Sequence, residues 1–280
     1  MSHAPGFTAR WDLIDDARRA TLASGIERAQ ALVAAAAPDL ILAFVNDHFQ
    51  NFTLKGMPPF CIGVGERHDA PGPAAAAMLR IPERTIAGEP DVAMQLLETL
   101  MASGFDPAYS AELSLFDDLS VPLYHLFGPD RPLPPVIPIV TNCVAPPMPS
   151  FGRCYDLGVA VGRALASIDA DYERVMVLGS GGLSHWVGTP KTGQINGDFD
   201  AAFLEQVSAG RIEEMRGWID REIDAVAGNG ALELKNWLLA LAALGPFAAQ
   251  PLAYVPVREW LTGIAIVAVT PQPNGRPNDD

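Results

Sequence analysis

Residues 40–48 read LILAFVNDH and residues 175–185 read VMVLGSGGLSH; these two stretches decide the fold class. Each begins as an unbroken apolar run, the pattern of a strand covered on both faces. Each then passes through small or polar residues to a histidine, His48 in one and His185 in the other. In open α/β sheets ligands bind beyond the carboxyl ends of the strands, so both histidines stand where sites form. A third apolar run, 136–140 (VIPIV), contains Pro138, which points to an edge strand or a bulge.

Helical patterns fill the intervals. Segments 15–36, 90–103, 155–167, 211–226 and 232–244 are rich in helix formers or carry an apolar stripe. Stop signals follow several of them: Pro38, Gly104, Gly228-Asn229-Gly230 and Gly245-Pro246. The alternation predicts an α/β protein, one domain over residues 1–270 with a central mixed sheet flanked by helices. From Pro271 the sequence PQPNGRPNDD is polar and is expected to be a disordered tail.

The charge balance narrows the function classes. The 280 residues carry 33 acids against 19 bases, a net charge of −14. That argues against nucleic acid, whose binding needs clustered Lys and Arg. The three cysteines, Cys61, Cys143 and Cys154, have no CxxC spacing, which suggests reduced thiols and no zinc knuckle. The first ten residues contain no apolar leader, and the apolar stretch 26–37 is too short and too interrupted to span a bilayer. A soluble cytoplasmic protein with no membrane partner is expected.

Chemistry is sparse enough to inspect residue by residue. Only five histidines occur: His3, His48, His68, His125 and His185. Asp47-His48 could be an acid–base pair, a metal ligand beside a supporting acid, or a plain loop start. The Gly179-Ser180-Gly181-Gly182 loop lacks the lysine of a phosphate-binding loop and the spacing of a nucleophile elbow. Glu233, inside the apolar segment 231–237, taken by itself reads as a solvated surface acid. His68 and His125 have no supporting context and read as structural or surface residues.

Several pieces in order carry a family likeness: Ser2-His3-Ala4-Pro5, Asn46-Asp47-His48, 57–65 (MPPFCIGVG), 178–185 (LGSGGLSH), 193–203 (GQINGDFDAAF) and Glu233-Leu234-Lys235-Asn236-Trp237. Together they resemble the class III extradiol ring-cleavage dioxygenases. That group includes the protocatechuate 4,5-dioxygenase beta subunit and the 2,3-dihydroxyphenylpropionate 1,2-dioxygenases. The resemblance implies Fe(II) held by His3, His48 and Glu233, with His185 as the acid–base histidine. It implies a catechol-, gallate- or aminophenol-type aromatic substrate and O₂. Two imidazoles and one carboxylate on one face of Fe(II) leave positions open for substrate and O₂. Imidazole as a class titrates near neutral pH and can both take and return a proton. The assembly implied is a homodimer, or this chain with a separate small alpha-type subunit.

Two features depart from the family pattern. A second active-site histidine usually stands in a DHG motif before a Pro-Leu pair; here the stretch is 115–123 (LFDDLSVPL), with Asp117 in that place as a candidate catalytic residue. Relatives also carry a full strand before the first histidine, whereas only Met1 and Ser2 precede His3. Either that strand is missing or the start lies upstream, and His3 is expected to have little local support because termini fray. Two other readings remain open on the same scaffold: a metal-dependent hydrolase using Zn²⁺ and the same three ligands, and a divergent member without catalysis.

Overall fold

A computed structural model describes residues 1–168 and 172–272. Among the described residues nine strands run in chain order: β1 (Leu40–Asn46), β2 (Phe60–Gly63), β3 (Arg67–Asp69), β4 (Thr85–Ala87), β5 (Ala108–Ser110), β6 (Val136–Thr141), β7 (Val175–Gly179), β8 (Phe247–Val257) and β9 (Thr262–Pro271). These α-helices accompany them: α1 (Gly6–Ala9), α2 (Asp16–Ala36), α3 (Pro73–Leu79), α4 (Pro90–Ala102), α5 (Asp117–Phe127), α6 (Phe151–Ser167), α7 (Gly197–Ser208), α8 (Asp220–Ala227) and α9 (Leu234–Leu244).

The central sheet has the order β5-β2-β6-β1-β7. Strand β1 pairs in parallel with β6 on one side and β7 on the other, while β2 runs antiparallel to β6. The sheet is therefore mixed, as expected, and helices cover both of its faces. Alternate residues of β1 feed different cores. Ile41, Ala43 and Val45 pack with α2, α5 and the β8–β9 hairpin; Leu40, Leu42 and Phe44 pack with α4, α6 and α9. That double burial is why the run in β1 has no polar alternation.

Pro138 does not mark an edge. Strand β6 is the middle strand of the sheet. The Pro135 carbonyl accepts from Ile41 N, so odd positions of β6 face β1 and Pro138 faces β2. The paired residues between β2 and β6 end at Ile62–Ile139, one position short of Pro138. The missing N–H thus falls where the ladder has already stopped.

Other boundaries also shift. The segment read as one helix over 211–226 is a 3₁₀ turn, Ile212–Gly217, followed by α8, with extended backbone at Trp218 and Ile219 between them. Helix α6 begins at Phe151, where Ser150 caps it by accepting from Arg153 N. The β8–β9 hairpin was not apparent in the sequence, and β9 incorporates Pro271. The tail expected over 273–280 lies outside the described residues. Among the described residues no helix is long and apolar enough to cross a membrane.

Candidate metal centre

The site is assembled from four distant pieces of chain. His3 arrives on an extended segment strapped to the sheet. Ser2 N donates to the Ala265 carbonyl (2.8 Å), Ala265 N donates to Ser2 Oγ (3.0 Å), and the Met1 ammonium donates to the Gly179 carbonyl (2.8 Å). Burial pushes that ammonium down to about 5. Just beyond, Phe7 is fully buried against Trp11, His125 and Trp260. The expectation of weak local support for His3 is therefore wrong. The strap and the aromatic cluster hold it, and the residue is 4% exposed.

His48 follows the end of β1. Asn46 and His48 point to the same side and Asp47 to the other, as period-two alternation requires. Asp47 accepts from Asn51 N (3.0 Å), Asn51 Nδ2 (2.8 Å) and Phe52 N (2.9 Å), so it builds the turn and does not partner His48. The acid facing His48 is Asp117, the first residue of α5, with Oδ1 3.2 Å from Nδ1.

Glu233 is not on the surface; it is 4% exposed. It closes a 3₁₀ turn, Asn229–Glu233, and leads into α9, whose residues Leu234 to Ala242 are all buried. A helix apolar all round lies inside the fold, so an acid at its start is carried inside with it. Glu233 Oε2 accepts from Gly182 N (2.6 Å), and Oε1 accepts from Asn46 Nδ2 (3.3 Å). The glycine loop exists for this approach, not for a phosphate: a Cβ on Gly181 would lie 2.5 Å from the Glu233 carbonyl oxygen.

These pieces bring His3, His48 and Glu233 together. Glu233 Oε2 lies 3.3 Å from His3 Nε2, and Oε1 lies 3.2 Å from His48 Nε2. One ligand atom from each of the three falls within 4.8 Å of the others. Burial pushes the Glu233 carboxyl up, but His3 and the hydrogen bond from His48 outweigh it, leaving the group far below the usual carboxylate range. Burial pushes the His3 imidazole down, against the pull of Glu233 and Asp117. Burial pushes the His48 imidazole down, but Asp117 and Glu233 outweigh it and raise the group well above its usual value. With that proton displaced, two imidazole nitrogens and one carboxylate oxygen suit Fe(II) with open positions, and also suit Zn²⁺.

His185 borders the same site, close enough for its charge to act on both His3 and Glu233. Its Nδ1–H donates to the Leu183 carbonyl (2.7 Å), which leaves Nε2 with its lone pair free. Nε2 faces Gly230, where a Cβ would stand only 2.1 Å away. Asp117 is 3% exposed. Burial pushes its carboxyl up, but His48 and His3 outweigh this and hold it below its usual value. Burial pushes the neighbouring Asp118 well up.

His68 and His125 stay outside the site, one buried in β3 and the other in the aromatic cluster. Three supporting residues escaped the sequence reading. Ser180 Oγ meets His3 Nδ1 at 2.9 Å, Asn46 Nδ2 meets His48 Nε2 at 2.9 Å, and Asn236 Nδ2 donates to Asn46 Oδ1 (3.2 Å) and the Ser180 carbonyl (3.0 Å). The signal for Asn46 was available: it ends β1 two residues before His48, and an extended continuation puts the two on one side.

Comparison with known proteins identifies the family. Residues 1–265 match the family described as the catalytic LigB subunit of aromatic ring-opening dioxygenase. A 2,3-dihydroxyphenylpropionate/2,3-dihydroxicinnamic acid 1,2-dioxygenase of Mycolicibacterium vanbaalenii is 32% identical, with 95% of each chain covered. The protein of that name from Mycolicibacterium paratuberculosis is 30% identical over 97% of this chain and 98% of the relative. The one from Escherichia coli is 28% identical over 94% and 95%.

Proposed function

The chain belongs to the family of catalytic LigB subunits of aromatic ring-opening dioxygenases, and from that membership we propose that it cleaves a catechol by extradiol attack using Fe(II) held by His3, His48 and Glu233. Extradiol ring opening is the activity of the family; the metal, its ligands and the substrate class are our reading. The observation that carries it is the convergence of two imidazole nitrogens and one carboxylate within 4.8 Å, from residues 185 and more apart in sequence where Glu233 meets the histidines. The substrate class follows the named relatives: a 2,3-dihydroxyphenyl ring bearing a short side chain.

Fe(II) bound there would hold both catechol oxygens beside O₂ and let charge pass between them. The chain's own groups supply the rest. His185, with Nδ1–H committed to the Leu183 carbonyl, presents Nε2 as the base for a catechol hydroxyl proton and can return that proton later. Gly182 N and Asn46 Nδ2 fix the Glu233 carboxylate, and Ser180 fixes the His3 ring. Three free, buried cysteines suit a reducing compartment, in keeping with a cytoplasmic enzyme. A homodimer, or a pairing with a small alpha-type subunit, rests on the family likeness alone.

The test is anaerobic loading with Fe(II) followed by O₂ uptake against a panel of catechols, gallate and aminophenols. Stoichiometric O₂ consumption with a 3-substituted catechol and a yellow ring-opened product is the expected result. Turnover with Zn²⁺ and no O₂ would overturn the reading in favour of hydrolysis.

A further inference from the structure

We propose that Asp117 is a positioning residue for the metal ligand His48: its carboxylate faces Nδ1, keeps the ring hydrogen there and so leaves Nε2 as the coordinating nitrogen. This rests on the reading of His48 as a ligand and adds a role for the acid that stands where the family pattern has a histidine.

The geometry sorts the two ring nitrogens. Nε2 faces inward, 3.2 Å from Glu233 Oε1 and 2.9 Å from Asn46 Nδ2. An amide nitrogen is a donor only, so the nitrogen it meets must offer a lone pair. In neutral imidazole the other nitrogen then carries the hydrogen. Nδ1 faces Asp117 Oδ1 at 3.2 Å, and an ionised carboxylate is an acceptor only. The two atoms stand at ion-pair distance without hydrogen-bond alignment, and neither has a hydrogen-bond partner elsewhere among the described residues. At Nε2 the Asn46 amide is a donor and the Glu233 carboxylate an acceptor, so the choice of tautomer falls to Nδ1, where the ring faces the Asp117 carboxylate and an N–H is favoured.

The surroundings hold this pair still. Asp117 is buried at the first turn of α5, where the helix dipole favours a negative charge. The His48 ring stands edge-on to Phe116 at 6.4 Å and to His3 at 5.3 Å. Asp118 accepts from Phe116 N through Oδ1 (3.0 Å), which fixes its carboxyl at the start of α5 beside the pair. The alternative for Asp117 is direct ligation. His48, Asp117 and Asp118 also lie close enough to share an ion. That arrangement would need Nδ1 bare, which would set an Nε2–H against the Asn46 amide donor at 2.9 Å.

The experiment is titration of the apoprotein with Co(II), read by its visible absorption, for the parent chain, D117A, D117N, H48A and the H48A/D117A double variant. Thermal unfolding of each apoprotein checks that the fold is kept. D117A is expected to weaken Co(II) binding about 10–100-fold, the usual effect of removing such a partner. D117N, whose amide oxygen can still accept from Nδ1, is expected to recover most of that loss. In the H48A background, D117A is expected to change affinity by less than about threefold, because no imidazole remains to be oriented. Undiminished binding by D117A beside a large loss in H48A would overturn the positioning role and leave the metal reading intact. A further large loss on adding D117A to H48A would make Asp117 a ligand in its own right and also overturn it. Undiminished binding by H48A would instead overturn the metal site itself.

Discussion

The two histidines of the site are supported in opposite ways. His3 is held through its backbone: two hydrogen bonds join Ser2 to Ala265, and the Phe7 cluster anchors the chain that follows. Its imidazole needs only one neutral partner, Ser180 Oγ. His48 lies at a loop start with a side chain 27% exposed, and its ring faces a carboxylate at Nδ1. A ligand on a rigid strap can rely on a hydroxyl, whereas a ligand on an open loop is steadied by a charge. The difference teaches that removing the outer partner should cost the two ligands unequally.

The largest effect belongs to the group the two histidines share. Glu233→Ala removes the carboxylate that both face, and metal retention after gel filtration is expected to be lost entirely; full iron content in that variant would break the shared-centre picture. His185→Ala comes next. It is expected to keep its metal and lose about 10²–10⁴-fold in kcat, the usual worth of a proton-transfer group. Normal turnover would remove His185 from the reaction. Ser180→Ala sharpens the comparison directly. Its Co(II) affinity is expected to fall by less than the roughly 10-fold usual for losing such a partner, well under the loss for Asp117→Ala. An equal loss in the two variants would mean that the strap does not hold His3.

The smallest effect concerns the base of the His3 strap. His125 packs against Phe7 and donates from Nε2 to the Phe7 carbonyl (3.2 Å), and burial pushes it down to about 4. The unfolded chain, with an ordinary histidine near 6.5, binds the proton more readily between these values. Stability from this residue is therefore present above about pH 6.5 and is lost as pH falls toward 4. Between pH 7 and pH 5 the loss is expected to be about 1–2 kcal/mol. Chemical denaturation of the parent chain and of His125→Phe at both values checks this; an unchanged pH dependence in the variant would absolve His125.

The frame of the fold was readable because β1 and β7 are apolar on both faces and end in histidines. Pro138 misled because a proline in a strand usually means an edge. Here the neighbouring ladder stops beside it, and only the pairing partner reveals that. The β8–β9 hairpin was missed although β9 (TGIAIVAVTP) is rich in β-branched residues, because Pro251 and Pro256 in β8 hid its partner. Glu233 was misjudged for a different reason. A single acid was weighed alone, when the all-round apolar character of α9 already required that Glu233 and Lys235 be buried and paired. Asp117 was legible as an anomaly in the motif, but its partner lies 69 residues away in sequence on another element, beyond the reach of local pattern.

The strap at Ser2 has a consequence for how the protein comes into being. Ser2, beside the first metal-facing histidine, is secured by residue 265, far along the chain. During synthesis His3 must stay loose while more than two hundred residues emerge, and closing so long a loop carries an entropy cost that only the completed β8–β9 hairpin can offset. The nascent chain therefore cannot hold all three metal-facing groups at once. Metal capture becomes a report that the β8–β9 hairpin has been made and has docked.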